Sequence, residues 1–179
     1  MSRVITFSRN FPAYHPRKGE PTFFPEKLFN SLHRAAGVYF TNTYSLVDLN
    51  PDREKEAEAF WQTIQFNYDR LGFKGHTIRS GNRWKVGEKF SPRVWSGEPY
   101  KSKMIKIAPD IEVKKIWAFK IDRGRFWISN GSEYRPVLWS QLDTIANNDG
   151  LSTLSFMNWF QHPKAFNGQV ICWDNSINY

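Results

Sequence analysis

The chain has 179 residues, 40% of them hydrophobic and 17% aromatic, and a formal net charge of +8. That length points to a single domain over 1–179, and so many aromatic side chains exclude intrinsic disorder, whose composition is poor in them. No apolar run reaches the ~18 residues of a membrane span, and a single cysteine, Cys172, excludes an internal disulfide.

Val4-Ile5-Thr6-Phe7 is β-branched and aromatic and predicts a first strand. The stretch PAYHPRKGEPTFFP that follows holds four prolines and a glycine, so it reads as loop. From Pro25 to Gly37 the spacing of Leu28, Leu32 and Ala35 predicts a helix, with Gly37 as its stop. VYFTNTYSLVDL is β-prone and ambiguous. Next, Asn50 can cap a helix that carries Pro51 in its first turn. Ala57, Phe60, Trp61, Ile64, Tyr68 and Leu71 form its apolar stripe, and Gly72 ends it.

From Thr77 to Trp127 the pattern is strand-like. Segments near 85–95, 104–121 and 125–129 are separated by Ser96-Gly97, Pro99, Pro109-Asp110 and Arg123-Gly124. Short strands so punctuated predict a small barrel or a strongly bent sheet. Helical patterning returns at Pro136–Asn147 and near Thr153–Phe160, and Gly168–Trp173 predicts a closing strand. The fold class read from this order is α+β.

Charge is uneven along the chain. Residues 72–125 carry fourteen Lys/Arg against five Asp/Glu, while the two ends nearly cancel. A basic block of this kind attracts polyanions, and nucleic acid through 72–125 is the partner it suggests; a plain solvated basic face is the other reading. The first residues, MSRVITFSRNF, lack the apolar core of a secretory signal. With one cysteine, a cytoplasmic setting is expected.

Most chemistries find no motif here. The histidines (15, 33, 76, 162) lie far apart in sequence and no paired-thiolate spacing exists, so no metal site is expected. No phosphate-binding glycine loop or nucleophile elbow appears, and no cofactor is expected. Cys172 lies in an apolar strand and reads as a packed thiol. What stays is Lys74-Gly75-His76-Thr77-Ile78-Arg79. Strand alternation puts Thr77 and Arg79 on one face. A threonine hydroxyl needs a base to become a nucleophile, and a lysine can serve if burial or nearby cations make it neutral. Arg79 can depress Lys74 or hold an oxyanion. Asp149-Gly150 reads as a helix end with a left-handed glycine. Among the aromatic residues of the basic block, Trp84 and Trp95 are the candidates for stacking on a base, Trp95 beside Arg93.

The pieces "ITFSRNF" (5–11), "KGHTIR" (74–79), "WKVGEKF" (84–90), "IEVKKIWAFKI" (111–121) and "IANNDGLSTLSFMNWF" (145–160) occur in the order seen in ASCH-domain proteins. The chain resembles that family, small β-barrels of the PUA-like superfamily, and within it the branch of bacterial 4-N-acetylcytidine amidohydrolases. The resemblance implies a PUA-like/ASCH barrel with flanking short helices and an inserted helical segment at about 12–73. It also implies hydrolysis of an acylated cytidine or related modified nucleoside. Lys74 and Thr77 would be catalytic, Asp149 would stand where the family has a glutamate, and Arg79 would line the pocket; the basic and aromatic pattern itself adds Trp84, Arg93 and Trp95 as candidate substrate contacts. The glycine turn is Gly87-Glu88, where the family has Gly-Asp. A non-catalytic module that binds RNA or modified nucleic acid, or an ASCH-type ribonuclease, is the alternative.

Overall fold

The computed structural model describes residues 2–36, 71–161 and 165–179, and within helix α1 the side chains up to Leu32. The expected helix from Asn50, apart from Leu71, lies outside the described residues, as do Gly37, the ambiguous segment after it and His162.

Among the described residues the architecture is mixed α+β: nine strands in two sheets and three helices. In chain order these are β1 (Arg3–Thr6), α1 (Phe24–Ala36), β2 (His76–Ser80), β3 (Lys89–Trp95), β4 (Met104–Lys106), β5 (Ile111–Glu112), β6 (Lys115–Asp122), β7 (Arg125–Ser129), β8 (Arg135–Pro136), α2 (Trp139–Asn148), α3 (Thr153–Trp159) and β9 (Ala165–Cys172). The smaller sheet centres on β3, with β1 parallel on one edge and β4 and β5 antiparallel along the other. The larger is antiparallel in the order β2-β9-β6-β7-β8.

Sequence chemistry explains where the strands break. The expected strand over 104–121 divides into β4, β5 and β6. Opposite the gap between β4 and β5 lies Pro92 of β3, which accepts from the Ile107 amide (3.0 Å) but has no N–H to offer in return. The second break is a corner. The Val113 amide donates to Glu88 in the smaller sheet (2.8 Å) and the next amide, Lys114, donates to Cys172 in the larger (2.8 Å). One peptide step thus carries the chain from one sheet to the other. The β6–β7 hairpin turns on Arg123 (φ 49°) and Gly124 (φ 75°), the left-handed pair of a type I′ turn. The expected strand over 85–95 begins only at Lys89, and the helix expected from Pro136 begins at Trp139, because Arg135–Pro136 pair with β7 as an edge strand. The two sheets are not joined by backbone ladders into a closed barrel; a side chain spans the gap, with Arg79 of β2 donating from Nη2 to the Thr6 carbonyl of β1 (2.5 Å).

Two aromatic groups fill the core. Phe7, Phe90 and Trp173 pack with ring centroids 5.6–6.5 Å apart. Phe119, Phe126 and Phe166 of the larger sheet pack against Phe156 and Phe160, which fixes α3 on that sheet. Helix α1 falls inside the span expected to be an insertion, yet it buries Phe24, Leu28 and Phe29 in the common core. Cys172 is buried, and burial pushes its thiol up to about 12, in keeping with a packed, unreactive side chain.

Gly168 sits on β9 where a Cβ would lie 2.2 Å from the Arg79 carbonyl oxygen. Gly168→Ala is expected to lower stability by about 1–3 kcal/mol through overpacking against backbone. Gly97→Ala, whose Cβ would meet nothing nearer than 3.5 Å, is expected to stay near wild type. Urea unfolding of the two variants checks this.

Candidate active site

Residues 73–75 form a knot between elements. The Lys74 amide donates to the Lys27 carbonyl of α1 (3.0 Å) and the Gly75 amide to the Asn148 carbonyl of α2 (2.9 Å). The Gly75 carbonyl accepts from Trp173, just past β9 (3.2 Å). The packing is so close that a Cβ on Gly75 would lie 2.4 Å from Ile177 Cδ1. Lys74 is thereby fixed immediately before β2, on which Thr77 and Arg79 follow.

The opposing acid comes from the end of α2. The Gly150 amide donates to Asn147 and the Leu151 amide to Ala146 (both 2.9 Å), the paired bonds of a Schellman motif, with Gly150 at φ 80°. Gly150 thus meets the expectation of a left-handed helix stop. The motif holds Asp149 as the C-cap of α2, directly after its last helical residue, Asn148. Lys74 Nζ donates to Asp149 Oδ1 (2.5 Å) and to the Asp149 carbonyl (2.6 Å), and lies 4.1 Å from the centre of the Phe24 ring. Side-chain exposure is 2% for Lys74 and 8% for Asp149. Burial pulls Lys74 down to about 8, against the attraction of Asp149. Burial likewise pushes Asp149 above the usual carboxylate range, against Lys74. Both shifts favour the uncharged forms. Lys27, itself lowered by burial, donates from Nζ to the Gly150 carbonyl (2.6 Å) and adds positive potential to the site.

These groups open on a cleft of about 170 Å³. Lys74, Thr77, Arg79 and Asp149 lie along it, with Phe24, Trp95, Tyr100 and Trp159 as aromatic walls and residues 6–8 at the rim. The volume is below the ~300–1,000 Å³ of drug-sized pockets, so it suits one small flat group. Thr77 is buried, and its hydroxyl makes no hydrogen bond to a described residue. The Arg79 guanidinium is half-buried and anchored on Thr6; burial lowers its pKa while Asp149 raises it, and as an arginine it stays charged. Trp95 packs on Tyr100 (5.3 Å between ring centres). Tyr100 is 89% exposed and holds a left-handed backbone at φ 65°, an unfavourable conformation for a bulky residue.

The sequence-derived set therefore divides. Lys74, Thr77, Asp149, Arg79 and Trp95 share one cleft. Trp84 does not line it: its ring is buried edge-on to Phe90, and Gln169 clamps its backbone with two 3.0 Å bonds. Nor does Arg93, whose Nε donates to Ser91 Oγ (3.3 Å). Phe24, Tyr100 and Trp159 were not singled out beforehand, because no local pattern tells a cleft-facing aromatic residue from a core one. Among the described residues no three His, Cys, Asp or Glu side chains gather as a metal centre needs. None of the helices among the described residues is long and apolar enough to cross a membrane. Comparison of the chain with family models, with curated proteins and with solved structures gives no match.

Removing one member of a buried pair strands the other. Lys74→Met is expected to cost about 3–5 kcal/mol, and Lys74→Met combined with Asp149→Leu to recover most of it. Urea midpoints of wild type, single and double variants check this.

Proposed function

We propose that the protein is an amidohydrolase of the ASCH type, acting on an acylated cytidine or a related modified nucleoside, and that its two sheets are a variant of the PUA-like barrel. The observation that carries the reading is the convergence of Lys74, Asp149, Thr77 and Arg79 on one aromatic-walled cleft. A lysine can act as a base only when neutral, and its burial brings that form within reach near physiological pH.

In the proposed reaction the Thr77 oxygen attacks the amide carbon, and its proton passes to neutral Lys74. The carbonyl oxygen, now negative, is held by the Arg79 guanidinium. As the C–N bond breaks, the Lys74 ammonium returns the proton to the exocyclic nitrogen, and cytidine leaves. Water activated by the same amine then releases the acyl group from Thr77 as a carboxylic acid. Asp149 orients the amine throughout. The base stacks between the walls formed by Trp95, Tyr100 and Trp159, where each aromatic contact is worth about 1–3 kcal/mol.

One observation favours the alternative of an RNA- or modified-nucleic-acid-binding module. Lys74 Nζ is bonded to Asp149 and not to Thr77, an arrangement that a structural ion pair alone also produces. The substrate test separates the two. Purified protein incubated with 4-N-acetylcytidine is expected to yield cytidine and acetate, with Thr77→Ala at least about 100-fold slower. No turnover, or equal turnover in Thr77→Ala, would overturn the hydrolase reading. Salt-dependent RNA binding without turnover would support the module. The pH profile carries a sign: because Lys74 is active when it has lost its proton, the rate is expected to climb as pH rises through about 8 and to level off above it.

A further inference from the structure

His76 lies between Lys74 and Thr77 in sequence but faces away from the cleft. It is fully buried. Its Nε2 lies 3.1 Å from the Ile145 carbonyl oxygen. A carbonyl can only accept, so Nε2 carries the proton and, in the neutral ring, Nδ1 is left with a lone pair. That Nδ1 has no hydrogen-bond partner among the described residues and stands 3.7 Å from Asp149 Oδ1, the oxygen that also receives Lys74. An orphaned acceptor aimed at a carboxylate is unfavourable if the carboxylate is ionised, since two lone pairs then face one another. It becomes favourable once that oxygen bears a proton.

We propose that His76 is a positioning residue that stabilises the uncharged form of the Lys74–Asp149 pair by accepting a hydrogen bond from protonated Asp149. The step is balanced within the pair. An N–H bond of the Lys74 ammonium breaks, an O–H bond forms on Asp149, and that hydrogen bonds to Nδ1 without being transferred to it. The result is a neutral amine beside Thr77 with no proton released to solvent. Closing 3.7 Å to hydrogen-bond length needs a shift of under ~1 Å, and catalytic bonds are often long before substrate is bound.

The surroundings keep His76 itself neutral. Burial, and then the charge of Lys74, hold it well below the ordinary histidine range. On the remaining sides it meets the edge of the Tyr179 ring (5.6 Å) and its pairing partner Cys172 on β9. Lys27 and Arg79 act on Asp149 and resist its protonation, and His76 Nδ1 opposes that resistance. The Tyr179 hydroxyl accepts from Asn148 Nδ2 (2.9 Å).

The inference rests on Lys74 as the base, but its first readout involves no substrate. In wild-type protein near neutral pH, carbon and nitrogen NMR is expected to place the Asp149 carboxyl part-way to its protonated value. The same spectra are expected to show His76 Nδ1 as an unprotonated, hydrogen-bonded acceptor. A fully ionised Asp149, or a free or protonated Nδ1, overturns the proposal without recourse to any variant. His76→Gln keeps a donor for the Ile145 carbonyl but loses the acceptor, and is expected to lower the neutral fraction of the pair about fivefold, one ordinary hydrogen bond. His76→Asn can offer its amide oxygen in place of Nδ1 and is expected to retain more of that fraction; equal effects of the two variants would indicate a merely structural role and overturn the proposal. Below about pH 8, hydrolysis by wild type is expected to settle on a residual plateau that His76→Gln lowers about fivefold. Positive spectra without hydrolysis would refute the amidohydrolase and leave the His76 assignment standing.

Discussion

A salt bridge of 2.5 Å between Lys74 and Asp149, almost shut off from water, constrains everything around it. Each buried ion costs several kcal/mol in lost hydration, and the attraction between the two offsets that only if the geometry is held closely. The holding is done by backbone. α1 receives the Lys74 amide, α2 receives the Gly75 amide, and the end of β9 donates to Gly75. Two glycines follow from that crowding. A Cβ on Gly75 would displace the end of the Ile177 side chain (2.4 Å) and crowd Asp174 Cβ (3.3 Å), and a Cβ on Gly150 would meet Lys27 Cδ at 3.1 Å and Lys74 Cβ at 3.3 Å in a left-handed backbone. Four segments far apart in sequence thus converge on one amine, the close holding that a buried ion pair requires.

Where local chemistry dictates the outcome, the sequence was legible. Alternation marks Trp117, Phe119 and Ile121 of β6 as one buried face, Arg123-Gly124 specifies a hairpin turn, and Asn-Asp-Gly specifies the end of α2. The outcome was less legible where a distant partner decides. The gap after β4 is set by Pro92 on the neighbouring strand, and Trp84 is held by Gln169 of the other sheet. The site shows the same division. Lys74, Thr77 and Arg79 were visible as a spacing on one strand. Trp84 looked equivalent to Trp95 in composition, yet one fills the core and the other the cleft. His76 was given no role because alternation turns it away from Thr77, and only the tertiary fold sets α2 and Asp149 on that side.

The basic middle of the chain is less exposed in charge than its count implies. All five of its acids have cationic neighbours: Glu88 with Arg3, Glu98 with Lys101, Asp110 with Lys106, Glu112 with Lys114 and, at 3.9 Å, Asp122 with Lys120. Lys115 is committed to the Asn175 and Ile177 carbonyls and Asn178 Oδ1. Lys74 and Arg79 face the cleft. Such surface pairs add little to stability, but they localise the surplus of positive potential on fewer side chains and on the cleft itself. Positive charge is thereby concentrated at the Lys74–Arg79 end of the cleft and on the unpaired basic side chains outside it.

Between β1 and β2 the sheets meet without a ladder, and the Arg79 guanidinium on the Thr6 carbonyl bridges the seam. A closed barrel would have to break several backbone bonds to dilate there. Here a single charge-assisted bond, of a kind worth about 1.5–3 kcal/mol, crosses that seam, and the arginine that makes it also lines the cleft. Any movement of the guanidinium would therefore alter the seam and the cleft wall together.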